Sequence, residues 1–364
     1  MGQHFNLPAQ QSIRLETGHE GFRYISRKVA PEAAQDGESR LARLAASGIG
    51  DATWWRLPRE EQFTRLEAII GYTPLERIQL DTGLSVMTKM EHQNPSGSHY
   101  DRAYFATIKH FEEIGFIQPG DELRDITSGS AGISLALISQ LLGYKSRIIV
   151  PAELPANRLY PMLQFGAQLV SSGEGYVPHA SIVQTNEILG FREDPEWQET
   201  RPADRSGRAL TFEKDDVRIC YLNHSENELS PASFAPIASE ILDDTPDISH
   251  IVLAEGNWTT ISGIAKRLRM LKPSVHITGY SGEFTDGKTE NYGTNVPDVP
   301  LRFKDLELLD ADVIVSSKDR DAMQCHAPHL GRSSLMGLAV AESILRDNPN
   351  ANVVTLGYDT AERY

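Results

Sequence analysis

From about residue 84 to the last residue, short β-branched apolar runs alternate with stretches whose apolar residues recur at helical spacing, and this alternation restricts the fold more than any other feature. A strand followed by a helix before the next strand pairs in parallel, because a parallel partner is reached only through a crossover of about a dozen residues or more. The pattern predicts strands at 84–90, 122–127, 147–150, 168–171, 217–222, 248–254, 275–280, 313–316 and 352–356. Helices are predicted over 101–114, 131–142, 156–165, 179–188, 232–242, 260–271, 318–327 and 334–345. The fold class is therefore α/β. Nine strands exceed one comfortable nucleotide-binding sheet, so the expected architecture is two lobes, each an open twisted mostly parallel sheet flanked by helices. A crevice then lies between the lobes, with functional residues in the loops that follow strands.

Two regions break the rhythm. Residues 1–72 read as an N-terminal arm with one amphipathic helix over 58–70, ahead of a smaller lobe at 73–176 and a larger one at 177–364. Within the larger lobe, 14 of the 28 residues in 191–218 are charged and apolar periodicity is lost, which predicts a solvated insertion or a lid. The 35 basic and 50 acidic residues leave a net charge of −15, and no Lys/Arg cluster offsets it locally, so neither nucleic acid nor an anionic membrane is an expected partner. Two cysteines, Cys220 and Cys325, cannot build a disulfide framework or a four-ligand zinc site alone. No apolar run approaches the ~18 residues of a membrane span and the opening residues carry no signal-peptide pattern, so a cytoplasmic location is expected.

The segment 122–132, ELRDITSGSAG, is a strand that ends in a Ser/Gly-rich turn opening a helix. Such a turn aims unpaired backbone N–H groups and the hydroxyls of Thr127, Ser128 and Ser130 at one point, and the helix dipole favours a carboxylate or phosphate there. With GYTPL at 71–75, TKMEHQNPSGSHYDR at 88–102 and VVTLGYDTAERY at 353–364, the ordered set resembles the fold-type II pyridoxal-phosphate enzymes, the superfamily of cysteine synthase, cystathionine β-synthase and the tryptophan synthase β-subunit. The likeness spans residues 71–364 apart from the charged insertion, and it implies a tryptophan synthase β-like fold and a homodimer. It also implies that Thr127, Ser128, Gly129, Ser130 and Ala131 form the substrate loop, that His224 stands where a glutamine meets the substrate carboxylate, and that Ser333 faces the cofactor's pyridine nitrogen.

The departures carry as much information. Tyr100 occupies the place of the lysine that forms the Schiff base with pyridoxal phosphate, and a phenol cannot form an imine. The glycine-rich phosphate turn becomes Gly256, Asn257, Trp258, Thr259 and Thr260. Ser130 replaces the asparagine that touches the cofactor's phenolic oxygen. On this reading no cofactor is expected, and Gly256–Thr260 with Ser333 mark a former cofactor or anion site. The leading expectation is a cysteine synthase-like protein that binds a small amino-acid-like carboxylate, as a repurposed lyase or transferase with Tyr100 and His99 as candidate catalytic residues. Two alternatives stand beside it: a non-catalytic regulatory or partner paralogue, and an elimination or β-replacement enzyme with non-covalent pyridoxal phosphate. For Tyr100 and Trp258 the plainer roles are to fill volume left by the lysine and by the phosphate. No HxxxH, CxxC or paired-carboxylate spacing points to a metal.

Overall fold

The computed structural model describes residues 48–49, 53–151, 154–172, 177–203, 208–285, 288–289 and 301–364. Two six-stranded sheets form the body. The first runs β1 (Leu75–Gln79), β2 (Ser85–Lys89), β14 (Val353–Leu356), β9 (His250–Ala254), β10 (His276–Gly282), β13 (Ala311–Val315). The second runs β5 (Gln168–Ser171), β4 (Lys145–Val150), β3 (Glu122–Ile126), β8 (Val217–Tyr221), β7 (Leu210–Lys214), β6 (Gln198–Thr200). Pairing is parallel from β2 to β13 and from β5 to β8; only β1, β7 and β6 join antiparallel, at edges. Central strands such as β9 and β14 are buried on both faces, which is why HIVLA and VVTL read as continuous apolar runs. β11 (Phe284–Thr285) and β12 (Lys288–Thr289) form a separate ribbon.

All nine expected strands and all the expected helices form, but the chain does not divide between the sheets at residue 176. β1 and β2, from the first part of the chain, pair with β14 at its end, while β6, β7 and β8 extend the sheet of β3–β5. The charged stretch is likewise a correction. It supplies β6 and β7, and β7 turns into β8 through a tight loop in which Asp215 takes φ 51°. Alternation survives beneath the charges: Leu210 and Phe212 face a small cluster with Ile188, Ile219 and Tyr221, and Phe191 stacks on Phe212 at 5.0 Å. Of the arm, residues 1–47 lie outside the described residues. Further along it, α1 (Arg59–Glu67) buries Phe63 and Leu66 in the second sheet's core, and the buried Trp54 donates its indole N–H to the Leu141 carbonyl at 2.7 Å.

The remaining helices are α2 (Tyr100–Glu113), α3 (Ser130–Leu142), α4 (Ala156–Gln164), α5 (Val177–Glu193), α6 (Leu229–Asp244), α7 (Thr259–Leu271), α8 (Ser317–Ala322) and α9 (Arg332–Asp347). No helix among the described residues is long and apolar enough to cross a membrane. The start of α2 is fixed by a buried ionic cluster. Arg102 pairs with Glu91 and with Glu240 of α6, each at 2.7 Å, and Lys89 pairs with Glu240 at 2.8 Å. Lys89 also donates to the Thr73 carbonyl at 2.5 Å, and the Thr73 hydroxyl donates to Glu91 at 2.7 Å. Lys89 is 1% exposed and spent on this cluster, so it is no stand-in for a cofactor-binding amine, and Lys109 points away to Glu67 at 2.7 Å.

Burial alone would raise the Glu91 carboxyl, but Arg102 outweighs it and holds the group at about 2. A carboxyl depressed in the folded state contributes stability above its unfolded value and loses it on acidification. Glu91 is therefore expected to contribute to an acid-unfolding limb between about pH 4.5 and 2. Glu240→Gln leaves two buried cations facing one carboxylate and should lower the unfolding free energy in denaturant titration by about 3–5 kcal/mol. A loss below about 1 kcal/mol would show that the cluster does not hold α2.

Candidate active site

In each sheet the strand order reverses once. β3 leads outward to β4 and β5 while β8 lies on its other side, and β9 leads to β10 and β13 while β14 lies on its other side. Loops that leave the carboxyl ends of strands at such a reversal splay apart and open a crevice. Here the loops after β3, β8, β9 and β14, together with the start of α2, meet around one cavity of about 540 Å³. Its walls carry His99, Tyr100, Thr127, Ser128, Ser130, Ala131, His224, Gly256, Asn257, Trp258, Thr260 and Ser333, so the residues marked in the sequence converge. Two of them do not line it. Gly129 sits behind the turn, and Thr259 is fully buried with its hydroxyl donating to Asn257 Oδ1 at 2.7 Å.

At the head of α3, Gly129 takes φ +155°, a value that a side chain rarely tolerates, and donates its N–H to Thr127 Oγ1 at 3.1 Å. Ser130 and Ala131 line the cavity from the first turn of α3, where helix geometry leaves N–H groups without intrahelical acceptors. Ser130 Oγ donates to Asp359 Oδ2 at 2.7 Å and Arg158 holds the Ser128 carbonyl at 2.8 Å, so the turn is braced on both sides.

Tyr100 is half-buried and packs against the apolar cores of both sheets. Its ring lies 4.2 Å from that of His99 and meets His224 edge-on at 5.5 Å. His99 Nε2 lies 3.1 Å from the Thr260 hydroxyl, and burial pushes its pKa down to about 4 against the opposing pull of Glu91 and Asp359. It is neutral near pH 7, and it destabilises the fold progressively as pH falls from about 6.5 toward 4, because the unfolded chain binds the proton first. His224 Nδ1 lies 3.1 Å from Asp125 Oδ2, and His224 Nε2 lies 3.3 Å from Ser225 Oγ.

The turn after β9 keeps a glycine-type backbone although its residue is no longer glycine. Trp258 adopts φ 67°, in the left-handed region, yet it is 2% exposed and belongs to the first sheet's core, with the Lys304 ammonium 5.6 Å from its ring centroid. Just before the turn, Glu255 is buried; burial and the neighbouring Asp312 raise its carboxyl to about 7. Ser225, from the loop expected at the crevice, lines the cavity, and Asp125, Arg158, Tyr358 and Asp359, which were not marked as site residues, line it too. Asp125 had a signal, an acid inside the otherwise strand-like ELRDI. Among the described residues one trio, Asp81, Cys325 and His326, brings metal-type ligand atoms within 4.8 Å of one another, at a place away from the cavity.

The profile of the family described as "Pyridoxal-phosphate dependent enzyme" matches residues 66–300, and the chain belongs to that family. Within it the chain is similar to the cysteine synthases: 28% identical over 315 residues to cysteine synthase B of Salmonella typhimurium, covering 82% of this chain and 93% of that protein. Cysteine synthase B of Pseudomonas aeruginosa is 31% identical over 224 residues, covering 60% and 66%. Among solved structures, an O-ureido-L-serine synthase superposes with a TM-score of 0.66 at 24% identity, covering 82% and 92%. These likenesses agree with the tryptophan synthase β-like architecture expected from the motifs.

Family membership overturns the expectation that no cofactor is held, because pyridoxal phosphate is the group the family implies. The turn Gly256–Thr260, at the N-terminus of α7, fits a phosphate by the helix-end dipole and the Thr260 hydroxyl, while the Thr259 N–H is taken by Asn257 Oδ1 at 3.1 Å, and Ser333 stands on the same cavity wall. The covalent anchor is what does not fit: Tyr100 offers a phenol, and no lysine lines the cavity among the described residues.

Trp258→Gly tests which force governs the turn. Glycine removes about 1–2 kcal/mol of left-handed strain but forfeits the roughly 3–5 kcal/mol of a buried indole, so the thermal midpoint should fall. A rise would show that Trp258 contributes nothing by packing.

Proposed function

We propose that this cysteine synthase-like protein acts on a small amino-acid-like substrate in the inter-lobe cavity, with pyridoxal phosphate held by the Gly256–Thr260 turn and Ser333 without a link to residue 100. The observation that carries the reading is the meeting of the loops after β3, β8, β9 and β14 on one cavity around Tyr100. When bound, the cofactor supplies an electron sink for charge developing at the substrate's α-carbon. The first-turn amides of α3 and the Ser128 hydroxyl hold the substrate carboxylate, where dipole and unpaired N–H groups both favour an anion. Tyr100 is placed as a proton donor, and neutral His99 behind it keeps an unscreened positive charge out of the pocket. The family's lyase and β-replacement chemistry on O-acylated serines is the reaction class this arrangement suits.

Titration of purified protein with pyridoxal phosphate, followed by visible absorbance, should show saturable binding. Borohydride treatment of the loaded protein and peptide mapping should leave no pyridoxyl group on any cavity residue. A reduced adduct on a lysine would overturn the non-covalent reading, and the absence of any binding would overturn the cofactor assignment.

Substrate capture has a separate test. Thr127→Val with Ser128→Ala removes two hydroxyls from the carboxylate turn. Each hydrogen bond to a charged group is worth roughly 1.5–3 kcal/mol, so calorimetric affinity for O-acylated serines should weaken at least about tenfold. Unchanged affinity would mean that the turn serves only to cap α3.

A further inference from the structure

A second chemical apparatus lies on the cavity wall and does not need the cofactor. Asn223, at the end of β8, takes φ 50° and folds the next two residues back toward β3. His224 is held there by its own N–H donating to Asp125 Oδ2 at 3.1 Å, and Tyr104 donates its hydroxyl to the same oxygen at 3.1 Å. Asp125 Oδ1 accepts from the Ile126 N–H at 2.8 Å. The buried Asp125 carboxylate is thus fixed by donors on several sides, with Oδ2 3.1 Å from the ring nitrogen Nδ1 of His224, although off the line of a straight hydrogen bond. The other ring nitrogen, Nε2, lies 3.3 Å from Ser225 Oγ, which also accepts from Asn257 Nδ2 at 3.1 Å. Asp125, His224, Ser225 and Asn257 all line the cavity.

We propose that Ser225, His224 and Asp125 form a nucleophile, base and positioning residue that cleave small carboxylate-bearing acyl esters with water as co-reactant. The order of contacts, a carboxylate on one imidazole nitrogen and a serine hydroxyl on the other, is the arrangement that identifies such a relay whatever the order along the chain. Free-state contacts in these relays are commonly long or misaligned and tighten when substrate binds. In the first step Ser225 Oγ bonds to the ester carbonyl carbon while His224 Nε2 takes the hydroxyl proton. The ester C–O bond then breaks, and the departing alcohol oxygen receives that proton. In the second step water bonds to the acyl carbon, His224 takes its proton, the Oγ–carbon bond breaks and Ser225 recovers its hydrogen. The sum is ester plus water to acid plus alcohol. The amides at the head of α3, on the same wall, suit a substrate with a free carboxylate, and Asn257 Nδ2 orients the serine oxygen in the resting state.

The test uses the full chain without added pyridoxal phosphate. A fluorophosphonate probe followed by peptide mass spectrometry should place one adduct on Ser225, and acetyl-ester turnover should accompany it. Ser225→Ala should abolish the adduct and lower turnover roughly 10²–10⁴-fold, and His224→Gln should do the same. Asp125→Asn should lower kcat by a similar factor with KM within about threefold, since it disturbs the imidazole tautomer rather than the cavity. Ser225 is half-buried and its replacement should leave the melting midpoint unchanged. No adduct, an adduct elsewhere, or turnover that survives Ser225→Ala would overturn the proposal. Because no cofactor is present, these outcomes are independent of those that decide the pyridoxal-phosphate reading.

Discussion

The geometry of the site depends on the buried cluster of Lys89, Glu91, Arg102 and Glu240. It joins the end of β2, the loop behind it, the second residue after Tyr100 and the middle of α6, all at low exposure. Two cations and two carboxylates balance, and the hydrogen bonds to Thr73 satisfy atoms that would otherwise be orphaned. Such a cluster contributes little net energy compared with an apolar substitute, since desolvation consumes most of the attraction. Its effect is to specify register: α2 can begin only where Arg102 reaches both Glu91 and Glu240, and this fixes His99 and Tyr100 on the cavity wall.

The strand order explains why the rest of the site arrives at the same place. With one reversal in each sheet, the loops after β3 and β8 open on one side and those after β9 and β14 on the other. The cavity is therefore a consequence of topology, and the chemistry depends on which side chains the loops present. Here they present hydroxyls, amides, two histidines and three carboxylates, Asp125, Glu226 and Asp359, with no lysine among the described lining residues.

Strands and helices were legible because parallel strands are buried on both faces and their crossover helices keep one apolar stripe, so period and composition change together. β6 and β7 were hidden because an antiparallel edge exposes one face, and charges on that face masked Leu210 and Phe212 on the other. The sheet partition was hidden for a different reason: pairing of β2 with β14 joins segments far apart in sequence, and no local pattern encodes it. At the site, motif order located the loops that converge, and the same motifs gave the Lys89 and Arg102 positions, whose structural roles only the three-dimensional contacts reveal. Arg158 carried no signal, because it acts through the Ser128 carbonyl on another loop, and Asp359 stood in the last motif without a role until its contact with Ser130 was seen.

Tyr100 and Trp258 are both held by apolar packing. A lysine ammonium at position 100 would need a partner to offset its desolvation, and the carboxylates of Glu91 and Glu240 are already committed to Arg102 and Lys89. A tyrosine needs none: its ring packs on both cores and its edge contacts with His224 and Phe234 are favourable without charge. Trp258 acts similarly across the cavity, where packing of an indole outweighs the strain of its left-handed backbone. Both side chains make apolar contacts at positions where the family resemblance implies a chemical or ligand-adapted group, and Tyr100 does so where the two sheets' cores meet. With the ionic cluster behind them, these contacts hold the crevice walls before any ligand arrives, so that less ordering is left for a ligand to impose.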